Sequence, residues 1–283
     1  MMFKKVGVIG GGTMGIDVSI DLLLHGIDVI LVDKNREKID TSKKKVIKGL
    51  RFAPMLNKKL PLLCEEQIQD KIMFSTHIED VNDCDFIIEN VTEDWDSKRN
   101  VYQQLDKICH PKAYFGVNTS CISITKIASL TSRPQNVIGM HFMNPVYAKS
   151  TIEVIKGFHT SEECVVKALA LLEQMGKEAI IVNDFPGFVS NRISHLYMNE
   201  AAYIVQDQVA TPKQVDDIFK KCYGHKMGPL ETADLIGLDT VVHSLKILYD
   251  SYQDSKFRCC PLLMKMVDAG FLGKKTNQGF YSY

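Results

Sequence analysis

Short apolar runs alternate with longer amphipathic stretches along the chain as far as Asp184. Runs of this kind are typical of strands buried on both faces of a parallel sheet. The stretches between them are long enough for the crossover helices that parallel strands require. We therefore predict an α/β fold, with strands over residues 5–9, 28–32, 71–75, 84–88, 113–117, 136–140 and 178–182, and a further apolar run that begins at Glu153.

The pattern changes at Asp184-Phe185-Pro186-Gly187, where the strand-like runs stop. The remainder is typical of helices separated by Gly and Pro, beginning with Phe188–Gln208 and Pro212–Cys222. We predict two domains, residues 1–184 and 185–283, the second all-α. Its helices carry more apolar surface than one layer can bury, so we expect a homodimer.

A glycine-rich turn joins the first strand to the first helix, which runs from Met14 to His25 and stops at Gly26. Strand, turn and helix together predict a Rossmann-type doubly wound sheet. The glycines let the backbone approach a pyrophosphate at the helix N-terminus, where free N–H groups favour anions. The turn consists of Gly10, Gly11, Gly12, Thr13, Met14 and Gly15, and we expect all six to bind a dinucleotide.

Asp33 ends the second strand, 18 residues after Gly15. A carboxylate at this place accepts hydrogen bonds from both ribose hydroxyls and repels a 2′-phosphate. The sequence therefore predicts NAD rather than NADP as the cofactor.

His141 lies where an apolar strand gives way to a turn containing Pro145, and Glu153 follows twelve positions later. If the two strands are neighbours, Glu153 can hold the imidazole in one tautomer and favour its protonated form. That is the arrangement of a general base with its orienting carboxylate. A structural His with a surface Glu explains this segment equally well.

Polar residues also follow other predicted strands and begin the first long helix. Glu93 and Lys98 come just after a strand, at the edge where a doubly wound sheet binds ligands. Ser120 ends another strand and is suited either to hydrogen-bond a substrate oxygen or to cap the next helix. Asn191 has poor helix propensity for its place in a helix, which favours a polar function there, although a surface Asn is ordinary.

The segment from Lys34 to Lys59 is strongly basic, with ten Lys and Arg against Glu37 and Asp40. We predict a helix that breaks near Pro54. A solvated charged face explains such a run. A docking arm for a phosphorylated or acidic substrate carrier explains it as well.

Composition narrows the class of protein. The 283 residues carry a formal net charge of zero and are 45% hydrophobic, so no global field recruits nucleic acid or an anionic membrane. We expect no membrane span and no signal peptide. The eight cysteines form no Cys-x-x-Cys pair, which favours reduced thiols in a cytoplasmic protein. The chain also has no His/Cys ligand cluster, and we expect no metal.

Taken together, these motifs resemble the 3-hydroxyacyl-CoA dehydrogenase family. The resemblance covers nearly the whole chain and lies in the order and spacing of its motifs, several of which are fairly specific alone. They are the glycine turn with Asp33, Glu89-Asn-Val-Thr-Glu93 followed by Lys98, Asn118-Thr-Ser120, His141-Phe-Met-Asn144-Pro145, Glu153, Asp184-Phe-Pro-Gly-Phe-Val-Ser-Asn191-Arg192, Gly228-Pro229-Leu230, Gly237-Leu-Asp239 and Gly273-Lys-Lys275-Thr-Asn-Gln-Gly279-Phe-Tyr281.

The resemblance implies an NAD-dependent oxidoreductase that converts a 3-hydroxyacyl thioester to the 3-oxoacyl thioester. It implies that His141 is the base, Glu153 its partner and Ser120 the hydrogen-bond donor to the reacting oxygen, near the nicotinamide. Asn191 would bind the substrate from the helical domain. The family positions that contact the cofactor fall on Glu93, Lys98, Asn144 and Lys275.

Some positions differ from the family pattern. Met143, Tyr147 and Asn277 replace a frequent Phe, Pro and Gly, and two arm positions that contact CoA in some members fall on Gly49 and Leu56. The reaction is therefore expected to be retained, while CoA and an acyl carrier protein both remain open as the carrier. A free β-hydroxyacid dehydrogenase, which uses a catalytic Lys, is a weaker hypothesis because of the His141–Glu153 pair. A catalytically silent NAD-binding protein is also weaker, because Ser120, His141, Glu153 and Asn191 are all present.

Overall fold

The protein is described by a computed structural model that covers residues 2–56, 58, 60–63 and 65–283. The chain divides into two compact units, of which the first ends at Asp184 and the second begins at Phe185. Lys59 of the basic segment and Cys64 lie outside the described residues.

The first unit is built on a sheet of eight strands in the order β3-β2-β1-β4-β5-β6-β7-β8. Neighbouring strands are parallel except β6 and β7, which are antiparallel. This sheet and the helices around it confirm the predicted doubly wound α/β fold. The strands are β1 Lys5–Ile9, β2 Asp28–Val32, β3 Ile72–Ser75, β4 Phe86–Glu89, β5 Tyr114–Val117, β6 Val137–His141, β7 Thr151–Lys156 and β8 Glu178–Asn183.

Six α-helices belong to the described part of this unit. They are α1 Thr13–Leu24, α2 Arg36–Leu56, α3 Glu65–Lys71, α4 Trp95–Ile108, α5 Ile124–Ala128 and α6 Glu162–Gln174. Three of them begin at side-chain caps, where Asp94 accepts from the Ser97 N–H at 2.9 Å, Ser123 from the Lys126 N–H at 3.2 Å and Ser161 from the Cys164 N–H at 3.1 Å. Such caps satisfy N–H groups that have no partner inside the helix.

Two helix predictions need correction. We expected a break near Pro54, but α2 continues through Pro54 to Leu56. The proline lies in the last turn of α2, where it lacks a donor for the carbonyl four residues earlier and its ring crowds that carbonyl, and the helix ends two residues later at Leu56. The short helix α3 was not predicted at all, because its seven residues contain a single buried apolar side chain, Ile68, and so show no helical period.

The second unit consists of helices with a short, irregular C-terminal tail. The helices are α7 Ser190–Gln206, α8 Pro212–Cys222, α9 Pro229–Ile236, α10 Leu238–Tyr252 and α11 Pro261–Asp268. Its core is formed by buried side chains that include Met198, Leu245 and Leu263. The tail is held by Asp234, whose carboxylate accepts the N–H groups of Phe280 and Tyr281 at 3.0 Å. None of the helices in the described parts of either unit is long and apolar enough to cross a membrane.

Candidate active site

His141 and Glu153 face each other across the single antiparallel pair of the sheet. The register places His141, the last residue of β6, directly opposite Glu153 of β7. The imidazole Nδ1 lies 3.0 Å from Glu153 Oε2, and both side chains are almost fully buried. Because an ionised carboxylate only accepts hydrogen bonds, the proton belongs on Nδ1 and Nε2 is left as an acceptor. The strand neighbourhood on which the sequence prediction depended is therefore present.

Ser120 lies on the other side of the imidazole. Its Oγ is 3.2 Å from His141 Nε2, and its residue belongs to the loop between β5 and α5. A reacting hydroxyl that lies beside both atoms, at the third corner of a triangle, can be within hydrogen-bond reach of each. His141 thus has an orienting carboxylate at one nitrogen and a hydroxyl at the other, which is the geometry of a general base.

The Ser120 loop is fixed by Glu93. One carboxylate oxygen, Oε1, accepts from Thr119 Oγ1 at 2.6 Å and from the Ser120 and Cys121 N–H groups at 2.9 Å. The sequence predicted a cofactor contact for Glu93 and did not predict this support of the loop. Three successive donors on one carboxylate hold Ser120 in place before any ligand binds.

Lys98 is completely buried beneath the same loop. Its Nζ donates to both carboxylate oxygens of Glu89 at 2.9 Å and to the Asn118 carbonyl at 2.8 Å, and it lies 3.9 Å from Glu93 Oε2. Burial raises the pKa of Glu89, and the Lys98 ammonium opposes that shift. Lys98 therefore compensates the negative charges of Glu89 and Glu93 inside the protein. A direct contact between Lys98 and a cofactor stays a prediction.

Two asparagines connect the ends of the neighbouring strands. Asn118 Nδ2 donates to Asn90 Oδ1 at 2.7 Å, and Asn118 Oδ1 accepts from the Phe142 N–H at 3.3 Å. The sequence pattern predicted no function for Asn90 or for Glu89. The available signal was that polar side chains end an otherwise apolar strand, which is unusual for buried positions.

The glycine turn has the geometry that a dinucleotide requires. Gly10 has a φ of +100°, and a Cβ on Gly15 would lie 1.8 Å from the Gly10 carbonyl oxygen, so side chains are excluded at both places. A Cβ on Gly12, by contrast, would meet no neighbouring atom within 4 Å among the described residues. In the described part of the chain, no side chain accepts a hydrogen bond from the N-terminal N–H groups of α1 as a cap. The backbone donors of Gly12, Thr13 and Met14 thus border open space, and a pyrophosphate fits there.

Asp33 lies beside this turn. Its Oδ2 accepts the Gly11 N–H at 2.9 Å and its Oδ1 accepts the Asn35 N–H at 3.0 Å. These bonds orient the carboxylate at the end of β2, next to the glycine turn. The position is the one that the prediction of ribose binding requires, and the residues present fit NAD.

Three further predicted residues lie in other segments of the chain. Asn144 is exposed in the turn that follows β6, and Asn191 is the second residue of α7. Lys275, near the C-terminus, forms an ion pair with Asp239 of its own unit. Their contacts with substrate or cofactor stay predictions. Across the described residues, no group of three or more His, Cys, Asp or Glu side chains is placed to hold a metal ion.

Two family models match the chain. The model described as 3-hydroxyacyl-CoA dehydrogenase, NAD binding domain, matches residues 5–185. The model described as 3-hydroxyacyl-CoA dehydrogenase, C-terminal domain, matches residues 187–283. The two matches cover nearly the full length.

Similar proteins share the full length as well. The chain is 42% identical over 283 residues to a probable 3-hydroxybutyryl-CoA dehydrogenase of Bacillus subtilis, covering 100% of this chain and 98% of that protein. It is 38% identical to the 3-hydroxybutyryl-CoA dehydrogenase of Bradyrhizobium diazoefficiens, covering 100% of this chain and 96% of that protein. The crystal structure of (S)-3-hydroxybutyryl-CoA dehydrogenase from Ralstonia eutropha superimposes with a TM-score of 0.92 at 36% identity, covering 100% of this chain and 99% of that one.

Proposed function

The chain belongs to the 3-hydroxyacyl-CoA dehydrogenase family as an NAD-dependent oxidoreductase, and we propose that its substrate is a short 3-hydroxyacyl-CoA of the 3-hydroxybutyryl class. The names of its full-length relatives support the acyl chain. The observation that supports the chemistry is the His141–Glu153 pair with Ser120 Oγ at His141 Nε2. The reaction converts the 3-hydroxyacyl-CoA and NAD⁺ to the 3-oxoacyl-CoA and NADH.

His141 removes the proton that the alcohol must lose. When bound, NAD⁺ supplies the hydride acceptor for the hydrogen on C3. The hydroxyl proton passes to His141 Nε2 while the C3–O bond becomes a carbonyl and the C3 hydrogen leaves as hydride, so His141 is left as an imidazolium. Glu153 at Nδ1 stabilises that imidazolium, and the Ser120 hydroxyl stabilises the charge on the reacting oxygen.

We assign cofactor binding to two groups of residues. The glycine turn and Asp33 hold the adenosine and pyrophosphate end, which agrees with the open α1 N-terminus and the oriented carboxylate. We assign Glu93, Lys98, Asn144 and Lys275 to the second group that contacts the cofactor, and we propose that Asn191 binds the substrate from the helical unit. For this second group the proposal rests on the family motifs alone.

A groove of about 350 Å³ between α1 and α2 is our candidate for the CoA nucleotide. Lys45 and Lys48 lie on α2 at its border, where they can pair with phosphates. Gly49 is explained by packing, since a Cβ there would lie 2.3 Å from Ile20 Cδ1. The lining residues are Thr13, Ile16, Asp17, Ile20, Lys45, Lys48, Gly49, Phe52 and Tyr147.

The substrate is tested by NADH-linked turnover of matched substrates. We expect efficient oxidation of 3-hydroxybutyryl-CoA and little oxidation of free 3-hydroxybutyrate. A free acid that is oxidised as efficiently as its thioester would contradict the thioester assignment. Absence of turnover, with NADH still bound, would favour a catalytically silent NAD-binding protein.

The carrier is tested by charge reversal on α2. Lys45→Glu and Lys48→Glu alter the groove, whereas Lys44→Glu alters an exposed position outside it and serves as the matched control. If CoA is the carrier, the groove variants raise KM for the CoA thioester, while the control and a truncated pantetheine substrate are barely affected. If a carrier protein delivers the substrate, all three variants weaken binding of the carrier-bound substrate. The affinity of the wild type for that substrate then falls as the salt concentration rises.

We also propose a homodimer and a cytoplasmic location. Exposed apolar side chains on the helical unit, among them Val189 and Ile193, support an interface there. The location is supported by the seven described cysteines, which form no disulfide among themselves. Burial raises the pKa of Cys84 and Cys164 to about 12, which keeps those thiols protonated and unreactive.

A further inference from the structure

A buried ion pair lies in the first unit outside the site described above. Lys177, next to the start of β8, places its Nζ 2.8 Å from Oδ2 of Asp21 on α1, and both side chains are at least nine-tenths buried. His25 Nδ1 lies 3.4 Å from the other oxygen of Asp21. Burying two charges is costly unless their remaining hydrogen-bonding groups are also satisfied.

Lys177 uses its other donors on the turn between β6 and β7. Its Nζ donates to the Val146 carbonyl at 2.8 Å and to the Lys149 carbonyl at 2.6 Å. Two N–H groups of the ammonium are thus used on the turn, and the Asp21 carboxylate lies beside it as an ion-pair partner. The pair connects α1 to this turn as well as compensating its own charges.

Asp17 reaches the same turn from one helical turn earlier on α1. Its Oδ2 accepts the Val146 N–H at 3.2 Å. Residues four apart lie on one face of a helix, so Asp17 and Asp21 act side by side. Asp17 and Lys177 between them engage both backbone polar groups of Val146.

The turn that these contacts hold is adjacent to the catalytic base. It follows His141 directly, contains Asn144, and ends where β7 leads to Glu153. The helix α1, which carries Asp17 and Asp21, has at its N-terminus the glycine turn that we assign to the pyrophosphate. We propose that Asp17, Asp21 and Lys177 form a clamp that positions the turn 142–149 against the cofactor-binding helix. They are positioning residues for cofactor binding, and the kinetic part of this inference rests on the proposed function.

A double variant can distinguish a positioning role of the clamp from a role in stability alone. Replacing both members of a buried ion pair by apolar residues of similar volume is often neutral or stabilising. In Asp21→Leu/Lys177→Met, the unit should therefore fold, while the two bonds from Lys177 to the turn are lost. A pair that matters only for stability would leave this double variant with wild-type function.

We would compare this variant with the wild type in three measurements. Amide hydrogen exchange of residues 146–149 without cofactor should become faster. The Kd for NADH, followed by energy transfer from Trp95, the single tryptophan, should rise about tenfold, which corresponds to about 1.4 kcal/mol of lost binding free energy. KM for NAD should rise in parallel, while the pH dependence of kcat/KM stays unchanged because the β6–β7 ladder keeps His141 opposite Glu153.

Two further variants keep the test decisive. Lys112→Met, at an exposed position of the same unit, serves as the control and should keep wild-type exchange and NADH affinity. Asp21→Asn/Lys177→Gln removes both charges but keeps polar side chains, and it should show a smaller shift in the same direction if the apolar variant does not fold. Wild-type exchange and NADH affinity in the folded Lys177 variants would overturn the clamp. If the wild type fails to oxidise 3-hydroxybutyryl-CoA, the proposed function fails, while exchange and NADH binding still decide the clamp.

Discussion

His141 is held by two partners with different chemistry, an acceptor carboxylate at Nδ1 and a hydroxyl at Nε2. We expect His141→Gln to bind NADH almost as the wild type does and to lose most turnover. The expected loss is about 10²–10⁴-fold in kcat, as for removal of a positioned general base. Steady-state kinetics with an NADH titration measures both quantities. A variant that kept more than roughly half of the wild-type kcat would remove His141 from the mechanism.

Asp33 is the residue that we expect to set cofactor choice. The wild type should prefer NAD strongly over NADP, because a carboxylate next to a 2′-phosphate is repelled. Asp33→Asn keeps the shape and removes the charge, so the preference should relax toward NADP. The ratio of kcat/KM for the two cofactors is the measurement, and equal wild-type values would contradict the prediction.

At the scale of elements, the loop between β5 and α5 depends on one carboxylate from another element. Glu93→Gln keeps an acceptor for Thr119, Ser120 and Cys121 but removes the charge that strengthens their bonds. Hydrogen bonds to charged groups contribute about 1.5–3 kcal/mol each. Since about 1.4 kcal/mol is a factor of ten, we expect kcat to fall about tenfold.

The matched control for this substitution is Asp96→Asn, on the exposed face of α4. It removes the same charge from the same region without touching the loop. Equal kcat in wild type, control and Glu93→Gln would show that the loop does not need the Glu93 charge.

The strands and the glycine turn were predictable because each is encoded locally. A parallel strand buried on both faces is a continuous apolar run, and the turn between β1 and α1 needs glycine for steric reasons. The support of the site was not predictable. Whether Lys98 reaches a ligand or is buried on Glu89 depends on how α4 packs beneath the loop, and no spacing along the chain encodes that. The break predicted near Pro54 came from a local rule, namely that proline interrupts a helix. The rule could not show that α2 continues to Leu56.

At the scale of the whole molecule, we expect a homodimer through the helical unit. Ile193 on α7 is 63% exposed, which is unusual for a large apolar side chain on a monomer when neighbours are also exposed. Ile193→Asp should therefore shift the dimer to monomer. Phe158→Asp, at an 85% exposed position of the first unit, should leave the dimer intact.

Light scattering distinguishes these outcomes. A wild-type mass of 31.9 kDa at micromolar concentration would overturn the dimer prediction. A dimer that tolerates Ile193→Asp and dissociates with Phe158→Asp would place the interface on the first unit instead.

The single antiparallel pair of the sheet also bears on the order in which the chain folds. His141 and Glu153 are 12 residues apart in sequence, whereas Val6 of β1 pairs with Phe86 of β4. Closing a short loop costs less chain entropy than closing a long one, and local contacts form faster. The proposed base and its carboxylate therefore lie in a hairpin-like segment that can pair early, whereas the sheet around the glycine turn requires strands from distant parts of the chain.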